Sequence, residues 1–173
     1  MALLAAGTTQ SCTSANSGGI KRIYLANADD VSAFTYASNV ATVIAMAMSK
    51  VFYEFEFEQD TAEWRESGEL VNGSAKYTEE LEFYIRLNND TNRTILDALS
   101  NNCGYIAVVE DSNGTHWLLG ASEGLGKERP LKLVSDTTTS GKELTDQAGS
   151  IIVLGAMSQT KAVTVTQDMS SLL

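Results

Sequence analysis

The chain has 173 residues, 43% of them hydrophobic, and a formal net charge of −10. That length and apolar content suit one domain with a sizeable core and exclude a disordered chain, while the charge argues against a nucleic-acid clamp, which needs clustered Lys and Arg to neutralise phosphates. Two cysteines, Cys12 and Cys103, make no disulfide framework and have no metal-ligand neighbours, so they read as reduced thiols in a cytoplasm. No apolar run is long enough to span a membrane, and the ALLAA run near the start lacks the basic flank and cleavage site of a signal peptide.

Residues 1 to 19 are mostly Ala, Ser, Thr and Gly and read as an N-terminal arm that orders only against a neighbour. A single β-rich domain is expected over residues 20 to 168, followed by a short tail, 169 to 173. Ile20 to Ala26 is a first strand with Ile23 and Leu25 on one face, broken at Asp29-Asp30. Val31 to Met48 reads as extended through Phe34, Tyr36 and Val40, although Ser38-Asn39 can also cap a short helix over ATVIAMAM. From Val51 the alternation predicts a half-buried strand, with Val51, Tyr53, Phe55 and Phe57 on one side and Glu54, Glu56 and Glu58 on the other.

That strand leads into a long hairpin turning at Asn72-Gly73. Both central residues of a two-residue type I′ turn need positive φ, which Gly takes freely and Asn tolerates, so Val71 should face Ser74 and every outer pair follows. One face then collects Ala62, Trp64, Gly68 and Leu70 opposite Phe83, Leu81, Tyr77 and Ala75, interrupted only by a Glu66–Glu79 pair. The other face is polar, pairing Glu69 with Lys76, Ser67 with Thr78, Arg65 with Glu80 and Glu63 with Glu82, and a slip of one residue would destroy this sorting. Continued through Ile85 and Leu87, residues 51 to 87 form a three-stranded meander. Ten carboxylates against Arg65 and Lys76 place −8 of the charge between residues 54 and 82.

Asn88 to Asn102 is predicted to be a helix, capped by Asp90 or Thr91, with Ile95, Leu96 and Leu99 as its apolar stripe. A second hairpin, Tyr105 to Glu110 and Thr115 to Ala121, turns at Asn113-Gly114. Its two-residue register opposes Val109 to Leu118 and Asp111 to His116, and its apolar faces predict a central pair covered on both sides. Leu131 to Val134 is a strand, Ser135 to Gly149 a polar excursion, and Ser150 to Ala156 with Ala162 to Gln167 the closing strands. The fold class is mainly β, a sandwich or barrel with a long acidic hairpin and one packed helix.

No catalytic, cofactor-binding or metal-binding residues emerge, and no enzyme is expected. His116, the only histidine, has a structural partner in Asp111 and no activated Ser or Cys motif beside it. Gly120 to Lys127 (GASEGLGK) fails as a phosphate loop because Ala121 and Glu128 stand where Gly and Ser or Thr are needed. Asp111-Ser112-Asn113-Gly114 stops short of a calcium loop. Trp64, Trp117, Phe55 and Phe83 read as core residues.

The order of elements, GGIKRIYLA, FYEFEFEQDTAEW, SGELVNGSAKYTEELEFYI, TNRTILDALSNN, GYIAVVEDSNGTHWLLG and a terminal strand pair, resembles the tail tube and tail-tube-like ring proteins of tailed bacteriophages over roughly residues 18 to 168. The resemblance implies a protomer that assembles into a closed ring, commonly of six subunits, stacked around the genome channel of a virion tail or neck and made in the host bacterial cytoplasm. Its implied partners are further copies of itself and other tail or neck proteins, with DNA passing without specific binding and no membrane. The 1–19 arm and the 135–149 excursion depart from that pattern and suit a neck or adaptor ring.

Glu54, Glu56, Glu58, Glu63, Glu80 and Glu82 are the candidate acidic channel face, since a passage for DNA should repel phosphates. Alternation leaves open whether that side faces the channel or the outer solvent. Trp64, Leu70, Val71, Asn72, Gly73 and Tyr77 are the candidate subunit-contact hairpin. The competing expectation is a secreted or surface β-sandwich that binds carbohydrate or protein in a groove lined by Trp64 and Trp117.

Overall fold

The computed structural model describes residues 17–86, 89–100, 103–143 and 145–173. Eleven strands, β1 (Ile20–Asn27), β2 (Val31–Ala37), β3 (Val40–Met46), β4 (Tyr53–Phe55), β5 (Glu63–Val71), β6 (Ser74–Ile85), β7 (Tyr105–Asp111), β8 (His116–Leu119), β9 (Lys132–Thr139), β10 (Gly149–Ser158) and β11 (Val163–Val165), accompany one helix among the described residues, α1 (Asp90–Ala98). They form a seven-stranded sheet in the order β2-β3-β11-β8-β7-β1-β4 and a four-stranded sheet in the order β5-β6-β10-β9. The fold is mainly β and sandwich-like, as expected.

The long hairpin has the register that its turn and alternation dictate, from Val71 opposite Ser74 to Glu63 opposite Glu82. Asn72 and Gly73 have φ of 50° and 82°, the signs a type I′ turn requires. A Cβ at Gly73 would meet nothing within 4 Å, so Gly73→Val should cost only the conformational strain of a β-branched residue at positive φ. The expected loss is about 1 to 3 kcal/mol in urea unfolding; an unchanged midpoint would show that these angles are not required.

The apolar faces of both sheets meet in one core. Ile23 and Leu25 from β1 and Leu119 from β8 pack with Leu81 and Phe83 from β6 and Ile152 and Leu154 from β10. The alternate residues of β1 and β7, Tyr24, Ala26, Ile106 and Val108, are buried too, in a second cluster with Val31, Ala41, Ile44 and Val165. The seven-stranded sheet therefore curls over its own outer side, and β7 is central and covered on both faces, which is why its sequence is apolar without alternation. Ser38 and Asn39, with φ of 52° and 64°, turn the β2–β3 hairpin, so the extended reading of 31–48 holds over β2 and β3. Residues 169–173, read as a tail, are docked: Met169 and Leu172 are buried, and Phe52 donates its N–H to Leu172 O at 2.8 Å.

Several expectations are corrected. The 51–87 meander does not form, because β4 pairs with β1 in the seven-stranded sheet, with Phe55 opposite Ile23. Tyr53 is exposed, while Phe52, on the opposite side, is the buried residue there. The second hairpin is shifted by one residue, so that Glu110 faces His116 and Val109 faces Trp117. Its loop has three residues instead of two: Asp111 and Thr115 close it by a backbone bond of 2.9 Å, and Gly114 at φ 82° absorbs the extra residue. Ser135–Thr139 is not part of an excursion but continues β9 against β10. The closing strands separate, β10 joining the four-stranded sheet and β11 the other, where it runs parallel to β3. The helix is capped by Asn89, whose side chain accepts from Asn92 N at 2.8 Å, in place of Asp90 or Thr91. The expected helix ends, Asn88 and Asn102, lie outside the described residues, as do Leu87 and residues 1–16 of the arm.

Candidate functional site

The six glutamates of the expected acidic face divide between the sheets. Glu63, Glu80 and Glu82 share the outer face of the four-stranded sheet because they alternate with the inward Leu81 and Phe83. Arg65 sits among them, its guanidinium 3.7 Å from Glu63, 3.4 Å from Glu80 and 3.3 Å from Glu82, and Lys76 meets Glu69 at 2.7 Å. These pairs are solvated and each contributes less than about 1 kcal/mol. On the hairpin four carboxylates stand against two cations, and with Lys132 of β9, in line with Glu80 through Gly155, the face stays acidic by a smaller margin. Glu54, by contrast, belongs to β4 at the far edge of the other sheet, 3.8 Å from Arg22, and Glu58 lies 3.8 Å from Arg86.

Glu54, Glu56 and Glu58 instead rim a groove of about 780 Å³. Two crossings between the sheets bound it. Residues 53–58 run from β1's side to β6, where Glu58 N reaches Tyr84 O at 2.9 Å, and α1 leads from β6 back to β7. The groove floor is apolar, with Leu25, Phe55, Ile85, Leu96, Leu99 and Tyr105, and Ile95 stands half-exposed at its edge. Ile95, Leu96 and Leu99 share one helix face, with Leu96 and Leu99 buried and Ile95 at its margin.

The hairpin residues fall into two groups. Trp64 packs inside the sandwich against Trp117, ring centroids 5.3 Å apart, and Tyr77 lies over Gly68, where a Cβ would come 2.7 Å from its ring. Leu70 and Val71 are 72% and 43% exposed beside the Asn72-Gly73 turn. β10 supports β6 only as far as Tyr77, opposite Ser158, so the rungs beyond it stand on β5 and β6 alone.

One site escaped the sequence reading. Glu79, 1% exposed, faces the sandwich interior and accepts from Gly120 N at 3.0 Å, and its cross-strand neighbour Glu66 accepts from Ala162 N at 2.6 Å. Burial pushes the Glu79 carboxyl up to about 7 against the Gly120 hydrogen bond, and Glu66 adds to the rise. The signal was present as the single acidic interruption of an apolar face. The cavity beside Glu79 holds about 10 Å³, room for at most a water and not for a substrate. The pair therefore ties the four-stranded sheet to the chain around β8 and β11.

His116 does not meet Asp111. It lies 3.9 Å from Glu110, which also holds Lys21 at 2.8 Å and Arg22 at 3.7 Å. Asp111 instead organises the three-residue loop. Its carboxylate accepts from Asn113 N and Thr115 N at 2.9 Å and from Trp117 Nε1 at 3.1 Å, and although burial opposes it, these donors hold its pKa below the usual carboxylate value. Lys127, the lysine of the failed phosphate loop, donates to Ala28 O at 3.1 Å and Val31 O at 2.5 Å. Among the described residues no group of three or more His, Cys, Asp or Glu could hold a metal ion, and no helix is long and apolar enough to cross a membrane. Comparison of the chain with protein-family models, with curated proteins and with solved structures returns no match.

Proposed function

We propose that this chain is a non-enzymatic virion structural protein, the subunit of a homo-oligomeric ring or tube around the DNA channel of a phage tail or neck. The observation that carries the reading is the β5–β6 hairpin, which extends beyond its supporting sheet and exposes Leu70 and Val71 at its end. An apolar end on a long arm is costly in water and is relieved by burial against another subunit. Six subunits is the number the resemblance implies.

The channel-lining role falls to Glu63, Glu80 and Glu82, which share one sheet face, and not to Glu54, Glu56 and Glu58. Repeated around a ring, that face gives DNA a wall to which phosphates do not adhere. The test is charge reversal in whole particles. Glu80→Lys with Glu82→Lys should leave assembly intact by negative-stain imaging and lower genome delivery at least tenfold at low ionic strength, with partial recovery as salt screens the attraction. Normal delivery at every salt concentration would assign this face to the outer solvent.

A further inference from the structure

We infer that the β5–β6 tip of one copy seats in the groove between residues 53–58 and α1 of the next copy. The inference rests on the ring reading and names the two surfaces that make the contact. The tip and the groove lie at opposite ends of β6: the turn precedes Ser74, and Ile85 lines the groove floor. Twelve residues of strand separate them by about 37 Å. A copy therefore cannot fill its own groove, and in a ring the contact is head-to-tail, the class that closes rings or propagates stacks.

The chemistry of the two surfaces matches. Leu70 and Val71 offer exposed aliphatic knobs, and the groove offers an apolar floor built from Phe55, Leu96 and Tyr105 among others. Beyond them, at the turn itself, the backbone N–H groups of Asn72 and Gly73 have no acceptor among the described residues, while Lys76, one rung below Ala75, is held by Glu69 at 2.7 Å. The groove rim carries acceptors in excess, Glu54, Glu56 and Glu58, against Arg22 at Glu54 and Arg86 at Glu58. The turn N–H donors entering a rim of carboxylates are complementary to it, which fixes orientation as well as partner.

Complementation between two variants tests the contact. Leu70→Asp with Val71→Asp removes the tip, and Ile95→Asp places a charge at the groove edge; all three positions are exposed, so the fold should persist, as circular dichroism would verify. At concentrations where the wild type sediments as an oligomer, each variant alone should sediment as a monomer, with self-association weakened at least tenfold. Mixed one to one, they should form a dimer and nothing larger, the intact tip of the Ile95→Asp chain entering the intact groove of the other. Variants that assemble like the wild type, or a mixture that stays monomeric, overturn the tip-in-groove contact and leave the ring reading standing. A wild type that is monomeric throughout removes the ring reading itself, and the contact with it.

Discussion

Glu79→Gln should be close to the wild type in stability at pH 5 and more stable at pH 8, the gap widening by about 2 to 3 kcal/mol between them. The folded chain holds the Glu79 carboxyl protonated up to about 7, above its ordinary 4.5. Between those values the folded state keeps a proton that the unfolded chain has released, so stability falls as pH rises through that window and levels above it. The amide keeps an acceptor for Gly120 N and has no proton to lose. The depressed carboxyls of Asp30, Asp111, Asp146 and Asp168 are common to both proteins and cancel in the comparison. Urea unfolding at the two pH values reads the effect directly, and a variant that is less stable than the wild type at pH 8 would show that the ionised carboxylate is worth more to the interior than its burial costs.

Gly120→Ala is expected to cost about 3 to 5 kcal/mol, the sum of left-handed strain and overpacking. Gly120 has φ 79°, and a Cβ there would lie 2.8 Å from Tyr105 O and 2.9 Å from Leu131 N. Those two atoms are themselves joined by a hydrogen bond of 2.9 Å, so the obstacle is paired backbone and cannot swing aside as a side chain would. Gly114→Ala is the control: φ is 82° but nothing lies within 4 Å, so it should cost only about 1 to 2 kcal/mol. Equal losses in the two variants would mean that the region around β8 relaxes to admit the methyl group.

Both effects lie in contacts between segments far apart in the chain, and the sequence reading reached neither. It did reach the pieces whose specification is local. Asn72-Gly73 and the two-residue alternation around it determine the long hairpin to the residue, because a one-residue slip would turn Leu81 and Phe83 outward and Glu80 and Glu82 inward. The uninterrupted apolar run of β7 likewise announces a strand covered on both faces.

The same local signal fails at Asn113-Gly114, where the turn dipeptide is again present but the loop has three residues. The deciding contacts are those of the Asp111 carboxylate, which gathers Asn113 N, Thr115 N and Trp117 Nε1 and thereby moves His116 from Asp111 to Glu110. Alternation around Phe55 and Phe57 marks a face that packs on the core, yet says nothing about which strand lies alongside, so β4 was assigned to the wrong sheet. That one pairing carries Glu54, Glu56 and Glu58 away from Glu63, Glu80 and Glu82 and makes a groove rim of them.

By itself, then, the sequence determined what depends on neighbours along the chain: strand faces, the I′ turn, the fold class and the excess of negative charge. Tertiary structure decided which strands pair, which glutamate is solvated and which is buried, and where tip and groove stand relative to each other. The physical reason is range. Turn angles and side-chain alternation act over a few residues, whereas pairing and desolvation depend on the surroundings that distant segments supply, as Gly120 and Ala162 do for Glu79 and Glu66.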